Sequence, residues 1–188
     1  GGGNGSSRPT FGGHQGALGV VIIQAAALGS TETVTIGSGG AETTAAATGA
    51  DGGDTTFGSH ITARGGMGGE YSAVNYTLQS GFDNDASGIA NGEPAKATGT
   101  GVINFGGDLG QPNQYYYNST SQHQGGHGGG SGAGSGGRNG IAKGDIHGPT
   151  DAVGNVGAGG GSSPNCSTTD RSGAGADGYV MIEEFYTQ

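Results

Sequence analysis

Short apolar runs separated by glycine tracts set the pattern along this chain. Gly19 to Gln24 is an apolar run with branched residues. Thr31 to Ile36 alternates threonine with aliphatic side chains, as a half-buried strand does. Ser59 to Ala63 and Ala73 to Leu78 are weaker strand candidates. The strongest is Gly178-Tyr179-Val180-Met181-Ile182-Glu183-Glu184-Phe185-Tyr186, expected to be tied into a sheet. Helix is expected to be nearly absent. Ala25-Ala26-Ala27-Leu28 and Ala45-Ala46-Ala47 offer a turn or so each, too short to stand alone.

The glycines between these runs have a spacing of their own. Gly13, Gly16 and Gly19 are three residues apart, as are Gly134, Gly137 and Gly140, and Gly154, Gly157 and Gly160. In an extended helix with three residues per turn, such glycines share one edge. Two neighbours can then come close enough to exchange N–H···O=C bonds, while the other residues face water. The predicted fold is therefore mainly non-helical: packed polyglycine-II helices with a few short β-strands and long surface loops. A flexible linker is the alternative that a Ser-Gly composition also allows. The expected organisation is one glycine-rich domain over residues 1–188. A start without Met, inside Gly1-Gly2-Gly3, reads as the C-terminal part of a longer chain.

Composition narrows this further. Glycine fills 48 of 188 positions, but only 5 prolines occur and the glycine register breaks repeatedly, which excludes collagen. The 7 tyrosines, 5 phenylalanines and an 11% charged fraction argue against simple disorder. With 30% hydrophobic residues, stability must come mainly from backbone hydrogen bonds and tight backbone contact. A net charge of −9, with six Lys and Arg, makes nucleic acid an unsuitable partner. Val20-Val21-Ile22-Ile23 is too short to span a bilayer, so membrane insertion is not expected. The single Cys166 cannot form an internal disulfide.

Candidate chemistry is sparse. Two excursions, Ser80 to Pro94 and Asp108 to Gln124, interrupt the glycine pattern, and loops on a rigid scaffold are where binding residues tend to sit. Asp83, Asp85 and Ser87, followed by Gly88, open like a calcium loop, but Pro94 stands at the twelfth position where an acid belongs. An Asp/Asn-rich turn is the preferred reading. Ser172 to Tyr179 resembles a single calcium-binding nonapeptide repeat, and such sites need tandem copies. His123 and His127 have a chelating spacing only if helical, and Gly125-Gly126 lies between them. A homotrimer axis would bring symmetry-related histidines together. Gly132 to Gly137 matches a dinucleotide fingerprint without its strand and helix, which makes it noise. No nucleophile motif frames a triad. The expectation is no catalysis and no cofactor.

Three stretches carry a family resemblance. They are Thr33-Val34-Thr35-Ile36-Gly37-Ser38-Gly39-Gly40-Ala41, then Gly52-Gly53-Asp54-Thr55-Thr56-Phe57-Gly58-Ser59 with Ile61-Thr62-Ala63-Arg64-Gly65-Gly66-Met67-Gly68-Gly69, and finally Gly173 to Glu183. Together they resemble the glycine-rich domain of bacteriophage tail-fibre proteins, and the arrangement is similar in kind to the tip adhesins of T-even-like phages. The resemblance implies a virion tail-fibre tip, extracellular, whose loops bind a bacterial surface receptor, either an outer-membrane protein or a glycan. It also implies contact with other tail-fibre segments. By this analogy Ser80–Glu93 and Asn113–Gln124 are the recognition loops. Tyr115, Tyr116 and Tyr117, with Asn113, Asn118 and His123, form the candidate receptor-binding set, because Tyr gives amphipathic contact area at low entropy cost. The alternatives are a structural domain of a fibre or extracellular filament, and an ice-binding polyglycine-helix protein.

Overall fold

The computed structural model describes residues 11–44, 47–69, 95–105, 114–116, 122–124, 128–130, 157–161 and 172–186. They are mainly non-helical, with a few short antiparallel strands. β1 (Leu18–Val20) pairs with β6 (Ile103–Phe105). A four-stranded sheet runs β2 (Val34–Thr35), β3 (Thr55–Phe57), β4 (Ile61–Ala63), β5 (Ala97–Thr98). β7 (Gln114–Tyr116) and β8 (Gln122–Gln124) form a separate pair. The β3–β4 hairpin turns through Gly58-Ser59-His60, where Gly58 has φ 50, a left-handed conformation that glycine takes without a Cβ penalty. Ala25–Ala27 forms one 3₁₀ turn, as the alanine run predicts.

A second system of bonds joins the glycine tracts. Residues 11–17 bond to 64–69: the N–H groups of His14 and Ala17 donate to the carbonyls of Met67 and Arg64, at 2.9 and 2.8 Å. Residues 64–69 accept in turn from Gly49 and Gly52, and Gly53 donates onward to Ser38. The stretch around Gly37–Thr43 accepts from Ser172, Gly175 and Gly178 at its Thr43, Gly40 and Gly37 carbonyls. Gly173 and Ala176 donate to Gly161 and Ala158, while Gly13 and Gly16 donate to Gly160 and Gly157 and close the circuit. The result is a ring of six extended segments, each antiparallel to both neighbours. A further stretch, 128–130, lies against residues 13 and 159.

The period of these bonds differs from that of a sheet. A pleated strand repeats every two residues. Here the same neighbour is reached every third residue, and the next residue turns to a different neighbour: Gly13 to Gly160, His14 to Met67, Gly16 to Gly157, Ala17 to Arg64. Such close approach requires missing side chains. A methyl group on Gly66 would run into the His14 carbonyl, and one on Gly37 into the Gly53 carbonyl. Buried apolar side chains among the described residues are correspondingly few and mostly small: Phe11, Ala95, Ala97 and Ala158. Main-chain bonds, each worth about 1 kcal/mol net, carry the fold in place of a side-chain core.

Side-chain oxygens take N–H groups that no carbonyl reaches. Asp51 and Asp54, themselves three residues apart, accept from Gly68 at 2.7 Å and Gly65 at 2.9 Å. Asp177 accepts from Gly39, Ser172 from Thr43, and Thr55 from Gly37. Acidic residues in this chain thus serve partly as substitutes for main-chain acceptors.

Several sequence expectations need correction. Residues 178–186 are the strongest strand candidate, yet they form no ladder, and Gly178 meets Gly37 through a single main-chain bond. The run from Gly19 is strand only to Val20, and Val21 to Gln24 leads into the 3₁₀ turn. β3, β5 and β6 arise from segments that periodicity did not single out. Ala73 to Leu78 lies outside the described residues.

Gly66→Ala should cost about 3 kcal/mol or more, or prevent folding, since backbone must move to admit the methyl. Gly52→Ala should stay within about 1 kcal/mol of wild type, and on the stabilising side, because its nearest neighbour would lie 3.5 Å away. Thermal unfolding followed by circular dichroism separates the two. Equal losses at both positions would contradict the ring.

Candidate binding surface

The alternation of chain direction gives the ring two different ends. Residues 11–17 run into β1, 49–54 into β3, and 172–178 into the extended 179–186 stretch. Residues 37–43 and 64–69 leave β2 and β4 in the opposite sense. All strands of the β1–β6 pair and of the four-stranded sheet therefore lie at one end. At the other stand Phe11, Thr43, Gly49, Gly69, Gly161 and Ser172. The excursion starting at residue 70 leaves from that far end, and the chain is next described at Ala95, entering β5 on the strand end.

Between the six segments lies a cavity of about 300 Å³. All six line it, largely with main chain: Gly16, Gly40, Gly52, Gly66, Ala158 and Gly175 among them. Model methyl groups on Gly16, Gly52 and Gly175 would each lie between the two ring neighbours, 3.2–3.5 Å from the nearest atom. Amide groups make such a space suitable for water. Among the described residues, no group of three His, Cys, Asp or Glu is placed to hold a metal.

Two titratable sites are structured. His14 is buried, its Nδ1 has no hydrogen-bond partner, and burial lowers its pKa, with the Asp51 carboxylate opposing that shift. At the strand end, Glu32 accepts from the Gly29 N–H at 2.8 Å and lies 3.3 Å from His60 Nε2. The Gly29 bond, then the His60 contact, holds its carboxyl below the usual range. His60 in turn sits against Phe57, ring centroids 5.8 Å apart. Neither pairing was read from sequence. Histidines and acids far apart in the chain gave no local signal for it, whereas the three-residue step from Asp51 to Asp54 in a glycine tract could have been noticed.

Three of the candidate receptor-binding residues, Tyr115, Tyr116 and His123, fall on the third sheet. β7 and β8 form a hairpin joined by residues 117–121, and of the described strands β7 packs with β8 alone. The register sets Tyr115 directly opposite His123, and Tyr116 opposite Gln122. Two members of the set that are eight positions apart in sequence are thereby brought together. Asn113, Tyr117 and Asn118 lie outside the described residues, as do Asp83, Asp85 and Ser87 of the calcium candidate.

A family model described as "Glycine-rich domain" matches residues 1–184, and the chain belongs to that family. No curated protein and no solved structure matches it. Among the described residues, no helix is long and apolar enough to cross a membrane.

The lowered pKa of His14 has a definite sign. Folding favours its neutral form, so its contribution to stability is present above its ordinary value of 6.5 and is lost as pH falls below it. The melting temperature should drop between pH 7 and pH 5, and His14→Gln should remove part of that drop. An identical pH profile in the variant would refute this role.

Proposed function

We propose that this chain is a non-catalytic receptor-binding domain at the tip of a bacteriophage tail fibre, extracellular and virion-borne. On this reading the ring is a bundle of polyglycine-II helices. Its three-residue bonding period, with successive residues turned to different neighbours, supports that assignment. A scaffold bonded through main chain is stiff without a large core, and it leaves longer polar and aromatic segments free for recognition.

The observation that carries the binding reading is the β7–β8 hairpin, which holds Tyr115 opposite His123 within the Asn113–Gln124 recognition loop. Tyr115, Tyr116 and Tyr117, with Asn113, Asn118 and His123, would meet an outer-membrane protein or a surface glycan. Tyrosine suits both, offering a ring to stack and a hydroxyl to bond. The family resemblance of residues 31–69 and 173–186 to tail-fibre domains points the same way.

The test is adsorption of the labelled chain to a panel of bacterial strains. Substituting Tyr115, Tyr116 and Tyr117 by Ala should abolish binding to whichever strain the wild type binds, while the melting curve stays unchanged. Undiminished binding by the triple variant would refute the assignment.

A further inference from the structure

We propose that residues 179–186 act as an intermolecular strand, adding to the open edge of β2 in a second copy of this chain. The proposal does not rest on receptor binding and stands whatever surface the molecule recognises.

The segment has the composition of a strand and the environment of a loop. Tyr179, Val180, Ile182, Phe185 and Tyr186 are β-branched or aromatic, types enriched in sheets. Yet the segment belongs to no ladder, and Tyr179, Met181, Ile182, Phe185 and Tyr186 are 44, 73, 58, 88 and 82% exposed. At about 200 Å² for a large side chain, these five present on the order of 700 Å² of surface to water. That approaches the roughly 800 Å² per partner of a stable interface.

The same chain carries a matching vacancy. β2 is an outer strand of its four-stranded sheet, bonded to β3 on one side only among the described strands. Val34 within it and Ile36 just beyond are exposed as well. Register links the two features. Ser172, Gly175 and Gly178 donate to Thr43, Gly40 and Gly37, antiparallel and in steps of three. One more step sets Met181 opposite Val34. The segment thus has the direction, register and apolar character to extend the sheet past β2.

Within one copy this pairing is not made: residues 179–186 form no ladder with β2, and Met181 and Val34 are both exposed. A chain holding both an unpaired strand and an unpaired edge satisfies the two by exchanging them with another copy. Because strand and edge are separate patches, the exchange closes either as a reciprocal dimer or as a ring. Leu18, Val20, Ile103 and Phe105, exposed on β1 and β6 at the same end, add apolar surface to the contact.

The experiment combines mass with a directed cross-link. Light scattering of the 188-residue chain at micromolar concentration should give twice the chain mass or a higher whole multiple. Ile182→Lys with Phe185→Lys should return it to the monomer without lowering the melting temperature. In a Cys166→Ser background, Val34→Cys with Met181→Cys should give, on oxidation, disulfide-linked species of two or more chains on a non-reducing gel. A monomeric wild type overturns the proposal, including the case where a different protein covers the segment. So does an assembly that survives the lysine variant, or a disulfide formed only within single chains.

Discussion

Main chain bonded to main chain, with no side chain between, is the constraint from which the rest of this molecule follows. Six extended segments lie so close that a methyl at Gly37, Gly65, Gly66 or Gly160 would collide with a neighbour's backbone. Close approach makes the hydrogen bonds possible, and the bonds compensate for the freedom that glycine gives up on ordering. It also expels side chains from the interior. Among the described residues buried large apolar groups are consequently scarce, and Asp51, Asp54 and Asp177 are drawn in as acceptors for amides that would otherwise lack them.

The constraint also sorts the molecule by end. Strict alternation of direction around the ring sends three segments toward the sheets and three away from them. The strand end collects β1 to β6 and most of the exposed apolar side chains, including Val20, Ile103, Phe105 and Met181. The far end carries the chain out toward residues 70 and 162 and receives it at 11 and 172.

How much was legible in the sequence depends on the range of each interaction. Gly13, Gly16 and Gly157, Gly160 announced their three-residue spacing, and they do bond to one another. That they close a ring with 37–43 and 172–178 was not readable, because antiparallel partners 129 or more residues apart share no local mark. The 178–186 segment departs from its strand composition for a related reason. Strand composition is a property of the segment, whereas a ladder needs a partner, and none pairs with it among the described residues. Conversely β3 is not legible although Thr55-Thr56-Phe57 has strand composition, since its pattern is too short to register as periodic. The tyrosine run was recognised as a candidate surface, but its register with His123 came only from the hairpin.

Amide hydrogen exchange, resolved by residue in the intact molecule, tests the central claim most directly. The N–H groups of Gly13, Gly16, Gly52, Gly175 and Gly178 donate within the ring. They should exchange slowly and together, with protection comparable to the strands. Rapid exchange at these glycines, alongside a protected β3–β4 hairpin, would show that the tracts are loose connectors and would end the account of a ring held by its backbone.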